Sequence, residues 1–362
     1  MPQKYPVLIG DIGGTNVRLK LIKLSKDINE TQEFIDKAKF SPIKFPSLEN
    51  LLTEYLSKFK DTPNYPLYIV LGIPGLVKNN EIIKMANIPY WGKTNGDELA
   101  KKLKVKKITF LNDFTCHGYG IQSNLKKDID YIIINDVPKT EGGVKALIGP
   151  GTGLGMGFLI KNSENEFYTI GYSEGGHQDF HPKFKIYREI REYYMKLLKI
   201  DGLSIDRICS GQGLIPIYKY LNLNENNLKV DENLRMKIEK FNDFAQSDIV
   251  NELNIELVKN GLEGKCELCK KVLELFIGLF GEVCGDASLF YLPTGGLYLT
   301  GGLSVALQSL IKETTIFMEH FLNKDNFDYL LKTFPIYLVK NGDIGIIGAG
   351  EYARRLILKN EK

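Results

Sequence analysis

The sequence predicts a two-domain α/β protein with duplicated halves, and three observations carry that prediction. The first is length: 362 residues exceed the size at which a single hydrophobic core usually stops growing. The second is a repeated unit. An apolar strand enters a glycine-rich turn and leaves as a second strand around residue 12, and the same design recurs around residue 152. Two such turns in two halves of one chain suggest halves that face each other across a nucleotide. The third is Ile108-Thr109-Phe110-Leu111-Asn112-Asp113-Phe114, an apolar strand that ends on an Asn-Asp pair before a helix-like segment. Open α/β sheets carry their ligands just past the carboxyl ends of strands. Asp113 is therefore the leading candidate for the residue that does chemistry, and the competing reading is that the pair only caps the helix.

Composition narrows the class. Hydrophobic residues make up 43% and charged residues 25%, as in ordinary soluble domains. A net charge of +3 is too small to direct the chain to nucleic acid or a membrane surface. No run of about 18 apolar residues occurs. The nearest, from Val272 to Leu292, carries Glu274, Glu282 and Asp286 and reads as a buried helix. A strand begins at Tyr5, which leaves no room for a secretory leader. The five cysteines are odd in number and scattered, as expected of reduced thiols in a cytoplasmic setting. Cys266 and Cys269 form a lone C-x-x-C, read as one face of a helix because no further zinc ligands cluster nearby.

Residues 5–24 are expected to form strand, turn and strand. The turn holds Gly10, Asp11, Ile12, Gly13, Gly14, Thr15 and Asn16, and the outgoing strand alternates Val17, Leu19 and Leu21 with Arg18 and Lys20. Glycines let backbone N–H groups approach a phosphate, and the Thr15 hydroxyl can donate to one. Asp11 is a candidate Mg²⁺ ligand, acting through water because Mg²⁺ keeps much of its hydration. No Walker A loop occurs. Ser47 opens an amphipathic helix, with Leu48, Leu51, Leu52, Tyr55, Leu56 and Phe59 at helical spacing. Residues 67–71 form a strand, and Asn95 with Glu98 makes a capping box before a short helix.

Further strands are expected at 131–134 and 144–148. The second enters Gly149-Pro150-Gly151-Thr152-Gly153-Leu154-Gly155-Met156-Gly157, the second glycine turn. In Glu174-Gly175-Gly176-His177 two glycines allow a tight bend, so that an acceptor and an imidazole can converge on a polyhydroxyl ligand; the alternative is a surface loop. Asp206 either reaches the same ligand, pairs with Arg207 or caps a helix. Residues 183–199 and 265–292 read as helices, and 222–262 as a helix-containing surface insertion. Thr300, Gly301 and Gly302 follow a strand and open a helix whose N–H groups can meet a nucleotide. Residues 336–339 form the last strand and 345–358 the last helix.

Taken together, Gly10-Asp11-Ile12-Gly13-Gly14-Thr15-Asn16, Leu111-Asn112-Asp113-Phe114, Gly149 to Gly157, Glu174-Gly175-Gly176-His177 and Thr300-Gly301-Gly302 resemble the bacterial-type glucokinase family of the hexokinase- and actin-like ATPase superfamily. The motifs keep the family's order and span nearly the whole chain. The cysteine-rich zinc motif of the related repressor/open-reading-frame/kinase group is missing.

The resemblance implies two ribonuclease H-like (actin-like ATPase) domains with mixed β-sheets and flanking helices, and an active site in the interdomain cleft. The expected division is 1–113 plus 343–362 against 114–342. It also implies phosphorylation of glucose at its 6-hydroxyl by ATP with Mg²⁺, in a cytoplasmic homodimer. Asp113 then maps onto the catalytic base, and Asn112, Glu174 and His177 onto sugar ligands. Gly151, Thr152, Gly153, Gly301 and Gly302 join the first glycine turn as nucleotide contacts. Asp206 stands where the family has a glutamate as a further sugar contact, one methylene longer.

That shortening keeps open a kinase for another hexose or an amino sugar. Two readings of another class compete. A sugar-responsive regulator would need a DNA-binding segment before the first turn, where only nine residues stand. A chaperone-type ATPase would not need the Glu174 and His177 pair.

Overall fold

In a computed structural model, the residues described are 3–14, 16–27, 30, 32–85, 88–123, 130–162, 167–225, 227–242 and 247–361. The chain forms two compact units, Met1–Asp130 with Asp343–Lys362, and Tyr131–Gly342.

The first unit is laid out by β1 (Lys4–Ile12), β2 (Val17–Ser25), β3 (Glu33–Phe40), α1 (Leu48–Ser57), β4 (Tyr68–Ile73), the small strands β5 (Gly75–Lys78), β6 (Glu81–Met85) and β7 (Thr94–Asn95), α2 (Gly96–Lys102), β8 (Lys107–Asn112) and α3 (Asp113–Gln122). Its main sheet has the order β3-β2-β1-β4-β8. The first three strands are antiparallel neighbours, and β1, β4 and β8 are parallel. The expected caps are present: Ser47 Oγ accepts the Asn50 N–H, and Asn95 accepts from Asp97 and Glu98. β1 is apolar without alternation because both of its faces are covered. Leu8 and Ile12 join the cluster under α1 and α2, whereas Val7 and Ile9 join Tyr68 and Val70 on the other side.

The second unit repeats the plan. Its elements are β9 (Tyr131–Asn135), β10 (Lys145–Pro150), β11 (Leu154–Lys161), β12 (Tyr168–Ser173), α4 (Lys185–Leu198), α5 (Ile205–Ile208), α6 (Gly211–Asn224), α7 (Glu232–Lys240), α8 (Ser247–Leu262), α9 (Glu267–Tyr291), β13 (Gly296–Leu299), α10 (Gly302–Ala306), α11 (Gln308–Glu313), α12 (Ile316–Leu322), α13 (Asp328–Leu331) and β14 (Ile336–Val339). The sheet order is β12-β11-β10-β13-β14-β9. β12, β11 and β10 are antiparallel neighbours, and β10, β13 and β14 are parallel. Apart from β9, added antiparallel at the edge, this is the arrangement of the first sheet. α9 is the buried helix expected from the apolar run, with Leu273, Phe276, Phe280 and Cys284 fully enclosed.

The last helix, α14 (Ile344–Asn360), returns to the first unit. It packs on α3, which explains a shift of boundary: the first crossover lies at Asp130 and Tyr131, not after Asp113. The reading of 222–262 as a surface insertion also needs correction. Leu234, Ile238, Val250, Leu253 and Leu257 of α7 and α8 are buried in the core of the second unit. Their apolar residues are spaced too widely to form conspicuous runs, yet each helix has one buried face.

Candidate active site

In the first unit, strand register assembles the site. Parallel pairing sets Asp11 opposite Gly72, and Ile73 opposite Asn112. The carboxyl ends of β1, β4 and β8 therefore bring Asp11 and Asn112 to one edge of the sheet. Asp113 follows as the first residue of α3. A side chain at Gly72 would put its Cβ 3.2 Å from Cys116 Sγ and 3.8 Å from Asp11 Oδ1, so glycine lets α3 lie close beneath this edge. The cap reading of Asn112 holds alongside the placement. Its Oδ1 accepts the N–H of Phe114 at 2.9 Å and of Thr115 at 3.2 Å. Asp113 Oδ1 also accepts from Phe114, at 2.9 Å. The partial positive charge at a helix N-terminus attracts a carboxylate placed there.

The first glycine turn is closed by Gly13 N–H donating to Asn16 C=O at 2.9 Å. Gly14 lies within it, Gly10 precedes it on β1, and Ile12 gives its side chain to the core, which leaves only its backbone for a ligand. Thr15 lies outside the described residues. Sequence reasoning missed Arg18. Hairpin register pairs it with Asp11, and its guanidinium donates to Asp11 Oδ2 at 2.5 Å and to Asp343 Oδ1 at 2.6 Å. The signal was present: a turn that pairs Ile12 with Val17 must place Arg18 across from Asp11.

This donor set fits a Mg²⁺ that arrives on phosphates. Arg18 occupies one Asp11 oxygen, so a contact through water is easier than direct ligation. Among the described residues no group of three or more His, Cys, Asp or Glu is placed to hold a metal ion.

The second unit supplies the other set. Gly149 lies against Thr300, and a Cβ there would stand 2.5 Å from its Oγ1. Gly301 has φ +87° and faces the Pro150 carbonyl, where a side chain would clash. These close approaches bring the 151–153 turn beside Gly301 and Gly302. The helix that starts there, α10, has only five residues. On the other flank, Gly175–His177 is a single 3-10 turn. Gly176 packs on the Leu154 carbonyl, where a Cβ would stand 2.3 Å from the oxygen. Glu174 and His177 are both exposed, with Oε2 and Nε2 3.7 Å apart, so neither side chain is used up by the other.

Asp206 lies against this cluster. Its Oδ1 accepts the Leu154 N–H at 2.6 Å and its Oδ2 faces Gln212 Nε2 at 3.4 Å. The alternative in which it pairs with Arg207 does not account for these contacts. Gln212, Gly211 and Asn254 also serve the turn and carried no sequence signal.

Two α/β units of like topology, each with a glycine turn at the carboxyl end of its parallel strands, together with the exposed Glu174 and His177, fit the sugar-kinase class. Solved structures agree. A glucokinase from an Antarctic psychrotroph superposes with a TM-score of 0.73 at 25% identity, covering 98% of this chain and 100% of that one. A ROK family glucokinase from Streptomyces griseus, crystallised with glucose and AMPPNP, shares the fold at a TM-score of 0.62 and 15% identity, with 97% and 99% covered. The sequence profile described as Glucokinase matches residues 8–356. The glucokinase of Trichormus variabilis is 32% identical over 350 residues, covering 97% of this chain and 99% of that protein. That of Helicobacter pylori strain P12 is 28% identical, with 96% and 95% covered. The chain belongs to the glucokinase family.

Proposed function

We propose that the protein is a glucokinase, transferring the γ-phosphoryl group of ATP to the 6-hydroxyl of D-glucose. The observation that carries the reading is the junction of β8 and α3. Asn112 is locked as a helix cap, and Asp113 stands beside it on the same sheet edge as Asp11.

In this mechanism Asp113 accepts the proton of the sugar hydroxyl as the oxygen attacks phosphorus, a contribution of about 10² to 10⁴ in rate. Asn112, Glu174 and His177 hold the other hydroxyls. The turns at 10–16 and 151–153, with Gly301 and Gly302, present backbone N–H groups to the phosphates, where charge on the equatorial oxygens must be neutralised. Mg²⁺, when bound to those phosphates, would supply further neutralisation, and Asp11 would hold it through water. Arg18 orients Asp11. Among the described residues no helix is long and apolar enough to cross a membrane. A cytoplasmic homodimer working at the first step of glycolysis belongs to the same reading.

A phosphoryl-transfer assay crossing ATP, ADP and polyphosphate with glucose, mannose, fructose and glucosamine tests it. The expected result is turnover with ATP and glucose above all other pairs. Preference for another sugar would reassign the substrate, and no transfer from any donor would remove the kinase reading. The second reading, a kinase for a different hexose, is favoured by Asp206, whose carboxylate is turned toward the 151–154 backbone.

A further inference from the structure

We propose that Asp206 is a positioning residue that sets the shape of the 151–154 turn, and so governs affinity for the phosphoryl donor more than for the sugar. The proposal rests on the reading above that this turn takes the donor's phosphates.

The backbone of the turn is tied down from one side. Leu154 donates its N–H to Asp206 Oδ1 at 2.6 Å. The Gly151 carbonyl accepts the Gly211 N–H at 2.9 Å, and the Thr152 carbonyl accepts Gln212 Nε2 at 3.2 Å. Gln212 also reaches Asp206 Oδ2, at 3.4 Å, so one side chain links the carboxylate to the turn a second time. Within the turn, Gly151 N–H donates to the Gly153 carbonyl at 2.7 Å. In a trans peptide the N–H points opposite to the C=O of the same unit. With the Gly151 and Thr152 carbonyls held toward residues 206–212, the N–H groups of Thr152 and Gly153 point the other way. They form a small donor nest whose orientation is fixed from behind.

Residue 153 must be glycine for this to work. A Cβ there would stand 2.5 Å from Asp206 Oδ1, in the path by which the carboxylate reaches Leu154. The same peptide links the two ligand regions, because the Leu154 carbonyl lies against Gly176 in the bend that carries Glu174 and His177. Asp206 therefore acts at the seam between them, through the N–H side of that residue.

The test is direct binding with Asp206→Ala and Asp206→Asn, using a non-hydrolysable ATP analogue with Mg²⁺ and, separately, glucose. Hydrogen exchange of residues 150–155 is followed in the ligand-free proteins. Asp206→Ala is expected to weaken the analogue about tenfold, to shift glucose by less than about threefold, and to speed exchange at Leu154. Asp206→Asn retains an acceptor for Leu154 and is expected to recover most of the analogue affinity, which an unspecific loss of structure would not do. If Asp206→Ala instead weakens glucose and leaves the analogue and the exchange unchanged, Asp206 is a sugar ligand and the proposal is overturned. Wild-type protein that binds neither ligand would overturn the functional reading. Wild-type protein that binds both, with analogue affinity unaltered in Asp206→Ala, would overturn the positioning role alone.

Discussion

At the scale of single residues, the two carboxylates that the proposed mechanism places nearest the chemistry have different surroundings. Asp11 is bound to a guanidinium, whereas Asp113 sits at a helix start. Arg18 engages one oxygen of Asp11, and in the proposed mechanism Asp113 is the base. Asp113→Asn is nearly isosteric and can still accept from Phe114, so the fold should persist while kcat falls by about 10² to 10⁴. Steady-state kinetics with saturating glucose would show it, and near-normal kcat would reassign the base. Glu174→Gln leaves sugar hydroxyls with a weaker acceptor, and the glucose KM should rise roughly tenfold. His117 offers a different prediction. It stacks on Phe114 at 4.7 Å and lies beside Gly345, and burial pulls its pKa down to about 4, with Asp11 opposing the effect and Arg18 adding to it. The unfolded chain then binds a proton more readily between about pH 6.5 and 4, so stability is full above that window and lost as pH falls through it. Denaturant titrations across this range should differ between wild type and His117→Phe by a slope of up to about 1.4 kcal/mol per pH unit. Parallel curves would show that His117 does not titrate differently on folding.

Among elements, what could be read from sequence depended on whether the signal was local. Helix caps at Ser47, Asn95 and Asn112 were legible because the capping side-chain oxygen and the N–H groups that donate to it lie within three residues. The glycine turns were legible for the same reason. The brace on the second turn was not, because Asp206, Gln212 and Leu154 meet only through tertiary folding. The same holds for α7 and α8, whose sparse apolar residues looked like a surface segment until packed. α8 even reaches the turn: Asn254, on its buried side, donates to the Gly211 carbonyl at 2.6 Å, while Gly211 holds Gly151. The Asn254 Oδ1 is buried without a hydrogen-bond partner, so truncation removes a good bond together with an uncompensated acceptor. Asn254→Ala should therefore cost only about 1 kcal/mol, less than a fully paired buried amide would. Thermal melting measures this, and a loss several times larger would mean that α8 depends on the contact for its packing.

For the whole molecule, the consequential fact is that the second unit is one continuous segment and the first is not. The sheet of the first unit is covered on one face by α1 and α2, which interleave with its strands in sequence. The other face is covered by α3 and by α14, which arrives only after the entire second unit has been made. Ile346, Ala349, Ala353, Leu356 and Ile357 of α14 pack against Tyr5, Val7, Ile9, Tyr68, Val70 and Cys116. Each large apolar side chain buried there is worth about 1.5–3 kcal/mol, and native domains hold only about 5–15 kcal/mol in all. A chain ending at Gly342 should therefore lose the first unit and keep the second. Hydrogen exchange read by peptide would show β1 and β4 unprotected, while β10, α9 and β13 retain the protection they have in the full chain. Protection retained in both regions would mean that α3 alone closes the face. Loss in both would mean that the second unit cannot stand without the first, despite its own sheet and core. The first outcome, with phosphoryl transfer abolished although every candidate ligand from Gly10 to Gly302 is present in the sequence, would tie activity to a helix that carries none of them.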